Sequence, residues 1–192
     1  GGSVFARHQD ILEDKKILFD EMFHSIVLFE GEHPLDQLLN QLKNEKPLDT
    51  VPNLIYLKNG EVTRNSSAKA LSYDQLASPN FDDLPLNKYL MPYPVLPYMA
   101  SRGCYWGKCT FCTHSFIYDS HYRKENEERV AEELDYLGKK YKTKYFTFSD
   151  EAISPNAFDR MSKAILSQGV EMRALGMLKF ESDSVETIEL FE

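Results

Sequence analysis

A short apolar strand runs directly into a cysteine-rich loop in residues 95–114, VLPYMASRGCYWGKCTFCTH. Residues 95–100 predict the strand, and functional loops of parallel β/α folds follow the C-terminal ends of such strands. All three cysteines of the chain lie in this loop, with the spacing C-x4-C-x2-C. Three thiolates on one short loop can converge on a soft metal centre. Because a structural zinc site normally uses four protein ligands, three cysteines favour an iron–sulfur cluster with one open iron.

The residues that follow the loop predict further β/α units. Helices are indicated by apolar residues at helical spacing and by typical end residues, such as Ser154 as an N-cap, Pro155 in the first turn and Gly169 at the end. The predicted elements are, in order, a helix from about Asn126, a strand at 144–148, a helix from Ser154 to Gly169, a strand at 170–178 and a helix from Asp183 or Ser184. The strand at 144–148 ends in the polar triplet Ser149-Asp150-Glu151.

The residues before the loop predict a separate α/β unit. Its expected elements are a helix around residues 11–18, a buried parallel strand at 25–29, an amphipathic helix that packs Leu35, Leu38, Leu39 and Leu42 on a sheet, and a hairpin around Asn59-Gly60. Residues 66–94 are rich in Pro, Asn, Asp and Ser without a sustained period. We therefore expect an ordered linker there, between a domain at 1–65 and a domain at 95–192.

Composition limits the classes of function. The 192 residues are 42% hydrophobic and carry a net charge of −8, which gives no electrostatic footprint for nucleic acid or for an anionic membrane surface. We find no apolar run long enough to span a bilayer and no signal peptide, so we expect a cytoplasmic protein. An odd, clustered set of cysteines argues against a secreted disulfide framework and fits a reducing compartment.

The cysteine loop resembles the cluster loop of radical S-adenosylmethionine (radical SAM) enzymes. The similarity includes Ser-Arg-Gly before Cys104, the aromatic Phe111 before Cys112, Tyr122-Arg123 before a helix and the acidic strand end at Asp150-Glu151. These features occur in the subgroup that carries an N-terminal cobalamin-binding domain. Upstream, Gly1-Gly2 and Phe29-Glu30-Gly31-Glu32 resemble turns of that Rossmann-like domain. The spacing departs from the commonest family pattern, C-x3-C-x2-C, by one extra residue.

The resemblance implies an α/β fold in which the end of a Rossmann-like cobalamin-binding domain precedes the first half of a partial (βα)6 barrel. The domain's Asp-x-His-x-x-Gly loop and the later barrel units are not in the sequence, so we expect a fragment that is inactive alone. The implied cofactors are a [4Fe-4S] cluster, S-adenosylmethionine (SAM) and cobalamin. The implied partners are a small-molecule or peptide substrate and an electron donor such as flavodoxin or ferredoxin.

The resemblance also assigns roles to individual residues. Cys104, Cys109 and Cys112 would ligate three irons, and the fourth iron would bind SAM. Reductive cleavage of SAM would give a 5′-deoxyadenosyl radical, leading to cobalamin-linked methyl transfer or a radical rearrangement. The remaining cofactor contacts would be Phe111 beside the adenine, Ser149, Asp150 and Glu151 at the methionine ammonium, and Arg173 at the methionine carboxylate.

Each assignment has a competing interpretation. The cysteines could form a zinc site completed by His114 in a non-catalytic module, and a methylthiotransferase-like radical SAM enzyme is a second enzymatic possibility. Asp150 and Glu151 could be ordinary acidic residues of a strand-to-helix turn. Phe111 could be a core aromatic residue, and Arg173 could be a surface arginine.

Overall fold

The computed structural model describes residues 19, 22–112 and 121–178. By its contacts the chain forms two compact units: unit 1 contains the residues up to Ser72 and the segment from Lys108, and unit 2 contains Tyr73–Gly107 and the residues from His121. Four of the predicted features lie outside the described residues. They are the helix around residues 11–18, the Gly1-Gly2 turn, the possible zinc ligand His114 and the helix from Asp183 or Ser184.

Unit 2 is built on a three-stranded parallel sheet. Its elements are the strands β4 (Val95–Tyr98), β5 (Ser101–Arg102), β6 (Arg123–Lys124), β7 (Tyr145–Phe148) and β8 (Arg173–Leu175), with helices α2 (Glu127–Tyr141) and α3 (Pro155–Ser167). The parallel strand order is β4-β7-β8. On one face of this sheet the alternate residues Leu96, Tyr98, Phe146 and Phe148 are buried with the apolar stripes of α2 and α3. The predicted mixed α/β fold with a parallel sheet is confirmed.

The helix ends of unit 2 follow the predicted capping residues. Asn126 accepts a hydrogen bond from the backbone N–H of Arg129 at 3.1 Å, and Ser154 accepts one from Ala157 at 3.3 Å. Pro155 occupies the first turn of α3, and Gly169 follows its end with φ of 66°. These local signals act within four residues, which is why the sequence alone locates them.

Unit 1 contains an antiparallel sheet. Its elements are β1 (Ser25–Val27), α1 (Glu32–Lys43), a 3-10 helix (Leu48–Thr50), β2 (Leu54–Lys58) and β3 (Glu61–Arg64), with strand order β1-β2-β3. The predicted hairpin is confirmed, with φ of 54° at Asn59 and 83° at Gly60. A strand forms within the predicted range 25–29, but the prediction that it is parallel is wrong: among the described residues, β1 pairs with β2, and this pairing is antiparallel. Burial there alternates, with Ile26 and Leu28 inside, which is typical of a strand with one buried face.

Helix α1 forms as predicted but does not pack its apolar stripe. Leu38 is buried against a cluster of Val51, Leu54 and Tyr56, whereas Leu35, Leu39 and Leu42 are 49%, 58% and 45% exposed. The expectation that all four leucines pack on a sheet is therefore wrong. The helical period is satisfied by the local sequence, whereas burial requires a second surface, and among the described residues only Leu38 of the four joins a buried cluster.

Residues 66–94 contain two short 3-10 helices, Tyr73–Gln75 and Leu86–Lys88. Tyr73 is buried, and Phe81 and Leu86 pack against the core of unit 2. Arg129 of α2 donates hydrogen bonds to the carbonyls of Tyr73 and Leu76 at 3.2 and 3.1 Å. Within the described ranges, the helices are all too short or too polar to cross a membrane.

Candidate functional site

The C-terminal ends of β4 and β7 lie side by side, because the two strands are parallel neighbours with Tyr98 opposite Phe148. Ser149 continues the pairing: its backbone N–H donates to the Tyr98 carbonyl at 2.8 Å, and its hydroxyl donates to the same oxygen at 3.2 Å. The chain after β4 enters the cysteine loop, and the chain after β7 is the acidic triplet. The sheet therefore brings the start of the loop next to Ser149-Asp150-Glu151.

Asp150 joins these two segments through its buried carboxylate. Its side chain is 1% exposed. Oδ1 accepts a hydrogen bond from the Ser101 hydroxyl at 2.5 Å, and Oδ2 accepts one from the Ala100 backbone N–H at 3.1 Å. Burial raises the pKa of Asp150, and the hydrogen bonds from Ser101 and Ala100 oppose that rise. The carboxylate is thus committed to the residues that precede Cys104.

The two ends of the cysteine loop run side by side in unit 2, and we call this crossing of residues 100–103 and 121–125 the neck. On the outgoing side, β5 pairs antiparallel with β6 on the returning side, with Ser101 opposite Lys124. The backbone N–H of Glu125 donates to the Ala100 carbonyl at 2.8 Å. A Cβ on Gly103, whose φ is +80°, would lie 2.7 Å from the His121 carbonyl oxygen. Only glycine fits this crossing, so the neck fixes where the loop begins and ends.

The three cysteines have the chemistry of a thiolate ligand set. None forms a disulfide; Cys104 and Cys112 are half-buried, and Cys109 is exposed. The Cys112 N–H donates to the Cys109 carbonyl at 3.2 Å, so these two residues belong to one turn. Among residues 22–112 and 121–178, we find no group of three or more His, Cys, Asp or Glu side chains placed so that they could together hold a metal ion. The donor set fits an iron–sulfur cluster by its chemistry.

Phe111, the residue predicted to lie beside the adenine of SAM, has a solvent-exposed side chain. Phe111 is 87% exposed, so the alternative that it is a core residue is wrong. Trp106 is 40% exposed on the same loop. An exposed aromatic ring beside Cys112 is available to stack on a planar group, because ring faces attract other π-systems.

The remaining predicted contacts are divided between the two ends of the sheet. Ser149 and half-buried Glu151 follow β7 at its C-terminal end, whereas Arg173 begins β8 opposite Tyr145. The four residue-to-residue steps from Tyr145 to Ser149 correspond to about 13 Å along a strand. Arg173 is also exposed. The sheet therefore does not bring Arg173 to the acidic triplet, and its position favours the interpretation as a surface arginine.

Sequence reasoning missed the polar groups beneath the loop. Ser101, Tyr122 and Asp150 line a small cavity of about 20 Å³, and the buried Tyr122 hydroxyl has no hydrogen-bond partner among the described residues. Burial raises the pKa of Tyr122. The sequence indicates Ser101 and Tyr122 only as family-like neighbours of the cysteines, because no periodicity connects a serine to an aspartate 49 residues away.

In unit 1, the segment that resembles a cobalamin-domain turn leads into α1. Phe29 has φ of 58°, and Gly31 precedes the helix; among the described residues, no atom lies within 4 Å of the position that a Cβ on Gly31 would take. Glycine is therefore not required at this position by close packing against the described residues.

Comparison with known proteins finds relatives that match part of the chain. No family model matches the chain. An uncharacterized methyltransferase, PH0819, of Pyrococcus horikoshii is 34% identical over 137 residues, which cover 69% of this chain and 29% of that protein. A 4′-phospho-dehydrooxetanocin synthase of Priestia megaterium is 31% identical over 121 residues, covering 61% and 16%. The chain thus spans less than a third of the length of either relative.

The similar solved structures include cobalamin-dependent radical SAM enzymes. The enzyme OxsB with aqua-cobalamin bound superposes with a TM-score of 0.73 at 20% identity, over 98% of this chain and 28% of that one. The radical SAM methyltransferase TsrM of Kitasatospora setae, with tryptophan and a SAM analogue bound, gives 0.69 at 13% identity, over 99% and 39%. At these identities the likeness establishes a shared fold.

Proposed function

We propose that this chain belongs to a cobalamin-dependent radical SAM enzyme and carries its cluster loop. The observation that carries the proposal is the loop itself: three free thiols follow a glycine-dependent neck at the C-terminal end of a parallel strand. The fold shared with OxsB and TsrM and the relatives at 34% and 31% identity support it. The proposed architecture is the end of a Rossmann-like domain followed by half of a partial barrel, with the linker at 66–94.

Cys104, Cys109 and Cys112 would hold a [4Fe-4S] cluster as thiolates. When bound, the reduced cluster would supply the electron for reductive cleavage of SAM to methionine and a 5′-deoxyadenosyl radical. The protein's own contribution would be to present three thiolate ligands and to orient SAM. A set of three protein ligands would leave a ligand position of the cluster for SAM.

Residues around the loop would orient SAM. Glu151 and Ser149 provide oxygen acceptors for the methionine ammonium at the end of β7, where a carboxylate suits a cation. Phe111 provides an exposed ring for the adenine. The reaction proposed for the enzyme is cobalamin-linked methyl transfer or a radical rearrangement, in agreement with relatives that include a methyltransferase and a synthase. An electron donor such as a flavodoxin or ferredoxin is part of the proposal.

Anaerobic reconstitution with iron and sulfide tests the cluster assignment. We expect about four irons and four sulfides per chain and a cluster electron paramagnetic resonance (EPR) signal that SAM alters. Cys109→Ala should lose most of the iron while α2 keeps its circular dichroism and its amide protection. Thr110→Ala, a change at the adjacent exposed residue, is the matched control and should keep the iron. Stoichiometric zinc without iron, or full iron in Cys109→Ala, would contradict the proposal.

A further inference from the structure

Asp150 is turned into the protein, and both of its carboxylate oxygens are engaged by protein donors. Both carboxylate oxygens accept hydrogen bonds from protein donors, Ala100 N–H and the Ser101 hydroxyl, and the side chain is 1% exposed. Its neighbours Ser149 and Glu151 are exposed and half-buried, respectively. Successive side chains of an extended segment point to opposite sides, so the inward position of Asp150 separates it from both neighbours.

We infer that Asp150 is a positioning residue that holds the base of the cysteine loop, residues 100–103, and that it does not contact SAM. The inference rests on the proposed function of the loop. A buried carboxylate is costly unless it is hydrogen-bonded, and hydrogen bonds to a charged acceptor are stronger than those between neutral groups. The pair of bonds therefore ties the residues before Cys104 to the end of β7.

The outgoing side of the loop base is also held by the returning side. The Ala100 carbonyl accepts a hydrogen bond from the Glu125 N–H at 2.8 Å, and Ser101 and Arg102 pair with β6. These contacts fix the base to the returning side of the same loop. Asp150 adds a link to the end of β7, through Ala100 and Ser101, which precede Cys104 by four and three positions. Groups that orient metal ligands from outside the coordination shell commonly change metal affinity by about 10–100-fold when they are removed.

Hydrogen exchange of the metal-free chain tests the restraint directly. In Asp150→Ala, the Ala100 amide loses its acceptor and should exchange at least about tenfold faster. Asp150→Asn can accept from Ala100 N–H through its amide oxygen and donate to Ser101 through its nitrogen, so its exchange should stay close to that of the original chain. Asp159→Ala is the matched control, because it removes an aspartate of the same unit that pairs only with exposed Lys163.

Cluster stability tests the consequence for the loop. After reconstitution with iron and sulfide, Asp150→Ala should release iron to a chelator about tenfold faster than the original chain. Asp150→Asn should restore the slow rate and the EPR signal. The clusters that remain in Asp150→Ala should still show the spectral change on addition of SAM, because the variant removes no SAM contact.

The outcomes separate this inference from the proposed function. Ala100 exchange that is unchanged in Asp150→Ala overturns the inference whether or not iron binds. Full cluster retention with loss of the SAM-induced change also overturns it, because Asp150 would then be a direct ligand. If Asp150→Ala does not fold, Ser101→Ala removes one of the two bonds and should release iron faster than the original chain; an unchanged rate overturns the inference. An original chain that takes up no iron at all overturns the proposed function.

Discussion

Helices α1 and α2 have similar apolar stripes, but the stripe of α2 is buried and that of α1 is mostly exposed. In α2, Val130, Leu134 and Leu137 are 1%, 0% and 0% exposed and form the core with the parallel sheet and α3. In α1, only Leu38 of the four stripe leucines is buried. The difference teaches that periodicity predicts a helix, whereas burial depends on the surface that the rest of the unit presents to it.

The N-terminal caps of the two helices differ as well, and α2 again has the more favourable contacts. Asn126 caps α2 with a side-chain hydrogen bond, and α2 ends in the left-handed residue Lys142. Gly31 precedes α1 and provides no side-chain cap. Local and tertiary stabilisation therefore coincide in α2, and both are weaker in α1.

The largest expected effect comes from truncating a buried leucine of α2, and the matched variant truncates an exposed leucine of α1. Leu134→Ala should lower the free energy of unfolding of unit 2 by about 3 kcal/mol, because it leaves a cavity in the core. Leu39→Ala should cost less than about 0.5 kcal/mol, because that side chain is mostly in solvent. Urea-dependent hydrogen exchange of the amides of each helix measures both. Equal losses in the two helices would break the comparison.

Removal of the α2 cap should have an intermediate effect. Asn126→Ala deprives the Arg129 N–H of its acceptor and should cost about 1 kcal/mol. The loss should appear first as faster exchange in the initial turn of α2. Glu132→Ala, an exposed change within the same helix, is the control. If both variants exchange alike, the cap does not contribute to the stability of α2.

The smallest effect of a backbone substitution is expected at the start of α1. Gly31 is the N-cap residue of α1, with φ of −94° and, among the described residues, open space at its Cβ position. Gly31→Ala lowers the entropy of the unfolded chain but replaces a favoured N-cap residue by a poor one, so the net change should stay below about 0.5 kcal/mol. Gly169→Ala is the matched contrast, because its Cβ position is equally open but its φ is +66°, and it should lose about 1 kcal/mol. Nearly unchanged exchange across α1 in the first variant and faster exchange at the end of α3 in the second would support the comparison; equal losses in both would contradict it.

Features that depend on near neighbours were predictable from the sequence. The hairpin at Asn59-Gly60 follows from residues that tolerate positive φ, and the caps at Asn126 and Ser154 follow from side chains that reach the first turn of a helix. The cysteine loop belongs to the same group, because its thiols lie within nine residues of one another. The alternation of β4, α2, β7, α3 and β8 was predictable from local patterns, whereas the pairing of β5 with β6 was not predicted.

Contacts between distant groups depend on tertiary packing. This packing sets the antiparallel partner of β1 and the exposure of three α1 leucines. It also places Arg173 at the N-terminal end of β8, away from the acidic triplet. The contact between Asp150 and Ser101 spans 49 residues, and sequence patterns carry no sign of it. The physical reason is that a period fixes the direction of side chains along one element, while burial and hydrogen bonding depend on what a second element offers at that point.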